Sequence, residues 1–432
     1  MWNANEVIVI SDLHLAAERD QGSFQSDREL TECLRWVLTT TSDCLVVLAG
    51  DAFDLLNQNR CLTRKGFDAF SCQVERIIEH HPEIFDALSS LAQSPRHKLV
   101  IMSGECDSEL VVPQVQQTVE HRLGVNCLNQ SVKWLVNGEA QLVRVGSTTM
   151  LIEHGNGLDP WNRINYASLQ LMLSLASRNL SPSIEVSSPL GVELWGTVIK
   201  DLRSRYRWVD CLKPIDQSVL PLLWLVASES QKAGLLDFAE RFESMKTEAA
   251  VMRPGNSHTP ISLFQGDRES DRSERDFILK EWLDSVYEQQ HDGGENDVDD
   301  YLQKVRVLSN ADNSVEITEA DDTSRWLKPV FDAGADLVIH GHTHAAKAIR
   351  VDRGLYLNTG AWTQIIRLPR SYDHYTIWRQ FLEQLGSDQA ETFARRTLAH
   401  VAADRSSTSA SLREWHSNGP VCLFTQHFRS EN

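Results

Sequence analysis

The sequence predicts an α/β fold: one mixed domain interrupted by a helical insertion. Three observations carry this. Short, β-rich apolar runs alternate with helical patterns between Glu6 and Ile152. The runs end in polar clusters, the place where α/β sheets gather their sites. Strand-like runs then return near Asp336, after a long stretch that reads as helix from about Asn165 to Val251. The expected boundaries are 1–162 and 326–432 for the mixed domain and 163–325 for the insertion.

Taken in order, "EVIVISDLHL" is a strand followed by a helical pattern through Leu30 to Leu38. "CLVVLAGDAFDLL" leads into a helical stretch from Phe67 to Leu91, and "KLVIMSGECD" into a helix over Pro113 to Leu123. "VKWLVNG", "AQLVRVG" and "TTMLIEHGN" are separated by tight Asn-Gly and Gly-Ser turns, which predicts a meander. Helical patterns interrupted by Pro and Ser follow, among them "VLPLLWLVA", which is too short to span a bilayer and reads as a buried helix. A charged segment around "EQQHDGGENDVDD" reads as a mobile acidic loop. Beyond Asp373 a helical stretch is expected to about Asp404, then a Ser-rich link and a last strand, "PVCLFTQHF".

The chain has 432 residues, 41% hydrophobic and 24% charged, the composition of a globular protein. Its formal net charge of −18 disfavours a broad grip on nucleic acid, although much of the excess falls within residues 265–325. No basic, apolar leader opens the chain and no apolar run reaches membrane-spanning length. The eight cysteines form no C-x-x-C pair, so the expectation is reduced thiols in a cytoplasm, mostly filling the core.

Five polar clusters close the apolar runs: Asp12-Leu13-His14, Gly50-Asp51 with Asp54, Gly104-Glu105-Cys106-Asp107, His154-Gly155-Asn156 with Asp159, and His340-Gly341-His342-Thr343-His344. Each alone is weak. A D-x-H after a strand is more often a turn with a capping Asp, a Gly-Asp is usually a turn, and a buried His is usually hydrogen-bonded core. "HGHTH" says most, because alternating residues of an extended chain point the same way and can share one metal. A solvated loop explains it equally well.

The order of the clusters goes further. Asp-x-His, Gly-Asp-x-x-Asp, Gly-x-x-Asp, His-Gly and Gly-His-Thr-His, each after a β-run, resemble the motif series of the calcineurin-like metallophosphoesterases over most of residues 6 to 366. Within that superfamily the chain looks most like bacterial relatives of UDP-diacylglucosamine hydrolase. The resemblance implies a four-layer α-β-β-α sandwich and a metal-dependent phosphoesterase with two divalent ions, manganese first, with iron, zinc and magnesium open. By resemblance, Asp12, His14 and His344 hold one metal, Asp51 bridges, and Glu105, His154 and His342 hold the other. Asp54, Asp107 and Asp159 are candidates for orienting those ligands, or equally for capping and turns. The implied substrate is a phosphorylated small molecule or nucleotide-like compound. Nucleic acid is disfavoured by charge, and the insertion is read as a cap or as a surface for a protein partner.

Two positions depart from the pattern. The superfamily has Asn where this chain has Glu105, and His where it has Cys106. Glu105 still offers oxygen, but it adds a third carboxylate to Asp12 and Asp51 and weakens attraction for a dianionic monoester. A diester or pyrophosphate fits that field better. Cys106, at the place of a histidine that assists the leaving group, is a poor acid, and losing such a group typically costs about 10² to 10⁴ in rate. The alternative is therefore a catalytically impaired protein of this fold that acts as a binding or regulatory module.

Overall fold

The computed structural model describes residues 1–17, 23–41, 43–56, 64–125, 131–159, 161–178, 180, 188–212, 219–251, 316–369 and 374–429. By packing, the chain divides into two compact units. One comprises Met1–Pro189, Val315–Ile365 and Phe393–Asn432; the other comprises Leu190–Ser314 and Ile366–Thr392.

The first unit holds two sheets. Their strands are β1 (Trp2–Ala4), β2 (Glu6–Ile10), β3 (Cys44–Ala49), β4 (His97–Met102), β5 (Val132–Leu135), β6 (Gln141–Val145), β7 (Thr148–Ile152), β8 (Leu337–His340), β9 (Ala346–Val351), β10 (Gly354–Thr359), β11 (Thr397–Ala403), β12 (Ser407–His416) and β13 (Gly419–Arg429). A six-stranded sheet runs β1-β6-β7-β8-β10-β9, and a seven-stranded sheet runs β13-β12-β11-β2-β3-β4-β5. Within the second, β2 to β5 are parallel neighbours, while β7 and β8 are parallel neighbours in the first.

Side-chain alternation fixes the layers. In the seven-stranded sheet Val7, Val9, Leu45, Val47, Val100 and Met102 join one buried cluster with Val143, Met150, Ile152, Leu337, Ile339 and Leu357 of the other sheet. Their neighbours Ile8, Ile10, Val46, Leu48, Leu99 and Ile101 point the other way. There they meet the apolar faces of helices α1 (Asp27–Thr40), α2 (Arg64–His80), α3 (Pro82–Gln93) and α4 (Pro113–Leu123). On the far side of the six-stranded sheet, Leu327 and Phe331 of two short helical turns cover Val338, Ile349 and Tyr356. The result is helix, sheet, sheet, helix. Strands buried on both faces explain why the runs in β2, β3 and β4 are continuously apolar.

The second unit is helical: Leu190–Leu202 with a π-turn over Trp195–Ile199, then Val219–Val226, Glu229–Val251 and Tyr375–Gly386. Trp195, Trp208 and Trp378 are buried in it, and the Trp208 Nε1–H donates to the Leu385 carbonyl at 2.8 Å. Val219, Leu220, Leu222 and Leu223 are buried, as the reading of "VLPLLWLVA" as a core helix required. The acidic loop expected near residue 295 lies outside the described residues.

Four local expectations are corrected. The Phe67–Leu91 stretch is two helices, broken at His81, because Pro82 cannot continue the first and opens the second. The expected meander is split between sheets: β5 pairs parallel with β4, whereas β6 and β7 form a hairpin in the other sheet. Gly138, at φ +69, sits in the left-handed region where the chain leaves β5. Helix ends at Gly386, not Asp404, because Thr397–Ala403 is pinned as a strand between β2 and β12 despite its helix-favouring alanines. The Ser-rich link is itself strand β12, paired on one side with β11 and on the other with β13.

Candidate metal centre

All five clusters sit at strand C-terminal ends. Asp12 lies two residues beyond β2, Asp51 two beyond β3 and Glu105 three beyond β4; His154 and His342 lie two beyond β7 and β8. Register aligns these ends, with Ile10 opposite Leu48, Ala49 opposite Met102, and Ile152 opposite Ile339. Loops from both sheets therefore converge on one rim.

Backbone hydrogen bonds lock the loops together. Asp12 N donates to Gly50 O at 3.1 Å, His14 N to Asp51 O at 2.9 Å, and Gly341 N to His154 O at 2.9 Å. Three glycines permit the approach. A Cβ on Gly50 would lie 2.4 Å from the His154 ring, one on Gly104 2.1 Å from Asp51 Oδ1, and one on Gly341 2.3 Å from Ser11 Oγ. Asp12, His14, Asp51, His342 and His344 all hold left-handed backbone, with φ between 46° and 69°. Such conformations cost side-chain-bearing residues on the order of 1 kcal/mol or more each, and they persist only where the surroundings over-determine them.

Two triads of ligating atoms result: Asp12, His14 and His344, and Glu105, His154 and His342. In the first, His14 Nε2 faces His344 Nε2 at 3.2 Å, and Asp12 Oδ1 lies 3.3 Å from His344 Nε2. Asp12 Oδ2 is engaged elsewhere, accepting from the His342 N–H at 2.9 Å and from the Ser11 hydroxyl. In the second, Glu105 presents Oε2 to His154 Nε2 at 3.0 Å and Oε1 to His342 Nδ1 at 2.9 Å. Asp51 stands between them. Its Oδ1 accepts from Cys106 N at 2.9 Å, while its Oδ2, buried and with no hydrogen-bond partner, is 3.7 Å from both His14 Nε2 and His154 Nε2.

The supporting groups orient the imidazoles. His154 Nδ1 faces the Ala49 carbonyl at 2.8 Å, which assigns a proton to Nδ1 and turns Nε2 inward. Asp159 Oδ2 takes His342 Nε2 at 3.0 Å, and Asp159 is itself held by Trp161 N and the Asn162 amide. Asp159 thus combines a contact to the His342 ring with a local turn onto Trp161 N. Asp107 does something different: it touches no imidazole, and it clamps two loops by accepting from Gly104 N at 2.7 Å and from Ala52 N and Phe53 N at 2.8 and 3.3 Å. Burial pushes its carboxyl up to about 7 even against those donors. Asp54 lies outside both triads and closes a local turn onto Leu56 N at 3.2 Å. Cys106, 7% exposed, has its sulfur within 4.8 Å of ligating atoms of His14 and Asp51.

The charges are mutually dependent. Burial would lower the His154 pKa, but Asp51, Glu105 and Asp12 raise it to about 10. His342 is likewise raised well above its ordinary value by Glu105 and Asp159, against burial. Burial opposes ionisation of Glu105, yet the two imidazoles hold it well below the carboxylate range. Asp51 is raised well above that range by burial and by Glu105. Cations at this spot would relieve the same charges, and the unsatisfied Asp51 Oδ2 and Asp12 Oδ1 are oxygens suited to them. The donor set fits a pair of divalent ions.

Sequence reasoning missed Asn358, Ser11 and Thr359. Asn358 Nδ2 donates to Gly341 O at 2.7 Å and Thr343 Oγ1 at 3.1 Å, pinning the HGHTH loop. Thr359 Oγ1 meets Ser11 Oγ at 2.6 Å beneath Asp12. The polar run "NTG" ending β10 was a usable signal for both.

No family model matches the chain, and no curated protein does. Solved structures give remote likenesses. One is a conserved protein from Streptococcus pneumoniae described as a predicted phosphoesterase, at 10% identity over 99% of this chain and 98% of that one, TM-score 0.26. Another is zinc-complexed Vps29 from Entamoeba histolytica, at 9% identity over 98% of each chain, TM-score 0.28. A third is phosphopantetheinyl hydrolase from Mycobacterium tuberculosis, at 12% identity over 83% of this chain and 90% of that one, TM-score 0.27.

Proposed function

We propose that the chain is a metal-dependent phosphoesterase with a dinuclear centre, acting on a phosphodiester or pyrophosphate in preference to a phosphomonoester. One observation carries the reading: Asp51 Oδ2, buried and unpartnered, lies 3.7 Å from an imidazole of each triad, the position of a carboxylate shared by two ions. On this reading Asp12, His14 and His344 hold one ion and Glu105, His154 and His342 the other. Two divalent ions there would supply the positive charge that polarises a phosphoryl group and offsets charge on the leaving oxygen.

The chain's own residues set the rest. The Ala49 carbonyl and Asp159 keep the lone pairs of His154 and His342 turned inward. Asp12, Asp51 and Glu105 bring three negative charges against the four positive charges of two divalent ions, so the pull on a dianionic phosphate is weaker than at a site with two carboxylates and a singly charged phosphate loses less. Cys106 is no imidazole, so the site has no histidine at that position to protonate a leaving group, and esters with good leaving groups suit it.

The test is hydrolysis of a chromogenic diester and monoester by the purified chain with added divalent metal, with Asp51→Asn as the blank. Diester turnover that vanishes in the blank supports the reading. Monoester turnover far above diester turnover contradicts the charge argument. A second reading, a binding module with little turnover, is favoured by one feature: Glu105 spans both His154 and His342, closing that triad as a charge-balanced unit. Metal uptake with no turnover on either ester would select it.

A further inference from the structure

Cys106 occupies an environment unlike that of the buried thiols Cys33 and Cys44. Cys33 and Cys44 lie in the core, where burial pushes their pKa far up and leaves them inert. Cys106 instead shares a cluster with His14 and Asp51, the three ligating atoms lying within 4.8 Å of one another. Two ligands of a single zinc ion, at about 2.1 and about 2.3 Å, lie about 3.6 Å apart in a tetrahedron and no more than about 4.4 Å apart. His14 Nε2 and Asp51 Oδ2, at 3.7 Å, already have that spacing.

The placement is built by the backbone. Cys106 N donates to Asp51 Oδ1 at 2.9 Å and Cys106 O accepts from Leu55 N at 3.1 Å. Asp107 fastens the next residue through Gly104 N, Ala52 N and Phe53 N. The backbone is thus held, and the sulfur lies within 4.8 Å of ligating atoms of His14, in the first triad, and of Asp51. Resting on the dinuclear reading above, we propose that Cys106 is a sulfur ligand of the ion held by Asp12, His14, His344 and Asp51, and that it makes this position selective for a zinc-class ion over manganese or magnesium.

Thiolate is a soft donor, and among divalent ions it favours zinc and cobalt over manganese and magnesium, which prefer oxygen. Binding breaks the S–H bond, forms the S–metal bond and releases one proton to solvent, with no change of oxidation state. The thiolate joins Asp12, Asp51 and Glu105 to give four anionic ligands, which balance the four charges of two divalent ions. A cysteine at a place where an acid was expected is then part of the metal site, not a damaged catalyst.

Cobalt(II) is the probe. The full chain, stripped with chelator and reloaded, should show visible ligand-field bands of bound cobalt together with an intense near-ultraviolet sulfur-to-cobalt band. Cys106→Ser and Cys106→Ala should both keep the ligand-field bands and lose the sulfur band, and their preference for zinc over manganese should fall by about tenfold or more. Bound cobalt without a sulfur band in the native chain, or a band surviving in both variants, overturns the proposal and leaves the dinuclear reading standing. Failure of the native chain to take up cobalt, zinc or manganese overturns both. Because the band is first sought in the native chain, instability of either variant does not remove the test.

Discussion

Gly104→Ala should disable the site while leaving the sandwich folded. The added Cβ would stand 2.1 Å from Asp51 Oδ1 and 2.5 Å from His154 Nε2. Ordinary contact begins near 3.4 Å, so roughly 1.3 Å must be found against the carboxylate. Asp51 cannot give way, because it is fully buried and holds the Cys106 N–H at 2.9 Å. His154 is tied to the Ala49 carbonyl at 2.8 Å. The Gly104–Asp107 loop must therefore lift, carrying Glu105 off His154 and His342. Overpacking of this kind costs about 1–3 kcal/mol, and a 1 Å misplacement at a reacting centre costs on the order of 10²-fold in rate. Gly157→Ala is the control, since a Cβ there meets nothing within 4 Å. Metal affinity by chelator competition and diester turnover should both collapse in Gly104→Ala and persist in Gly157→Ala. If Gly104→Ala binds and turns over within twofold of the native chain, the close-approach reasoning is wrong.

Further outcomes follow from the same geometry. Asp159→Ala frees His342 Nε2 and should weaken metal binding about 10–100-fold, measured by calorimetry. Glu105→Gln removes one negative charge while keeping an oxygen donor; the ratio of monoester to diester turnover should rise, and an unchanged ratio refutes the charge argument. Chelator should lower the melting temperature by about 3 °C, because an ion at a hundredfold its Kd contributes about 2.7 kcal/mol to the folded state of a 432-residue chain. His97 has its folded pKa lowered by burial and by Arg96. Its contribution is thus present above its unfolded pKa of about 6.5 and is lost as pH falls through the folded value. Denaturant titrations of His97→Gln should show a shallower loss of stability below that pH.

Much of the fold was legible because strands buried on both faces leave continuous apolar runs that no surface element imitates. The clusters Asp12-x-His14, Gly50-Asp51 and His342-x-His344 were ambiguous one by one, and only their order, each closing a β-run, made them legible as candidates. The carboxyl-terminal strands were not. Thr397–Ala403 has three alanines and no β-branched stretch, and it is strand only because β2 and β12 flank it. Local propensity cannot see partners nearly 400 residues away. The separate fates of Asp107 and Asp159 were equally hidden, since both follow a glycine turn and only the packed loops show that one holds backbone and the other an imidazole.

The charge network supplies the last test, because the site without metal has to be held by protons. With His154 raised to about 10, its imidazole is cationic near pH 7.5, and Glu105 and Asp159 favour the cationic form of His342 as well, so both rings offset the carboxylates around them. Asp51, raised well above the carboxylate range, adds to the protons held there. Metal needs neutral imidazole and ionised carboxylate, so uptake must expel about two protons or more. The sign of the pH dependence follows. The raised His154 pKa contributes stability to the metal-free chain that is full below its unfolded pKa of about 6.5 and is lost as pH rises through about 10. Metal affinity runs the other way and climbs with pH across the same range. Calorimetry in buffers of differing ionisation enthalpy counts the protons directly, and a buffer-independent enthalpy would refute the ion-for-proton exchange. On the proposed metal reading, the left-handed backbones at Asp12, His14, Asp51, His342 and His344 would serve both states: the loops would hold the ligands in place before an ion arrives, and protons would balance the charge until it does.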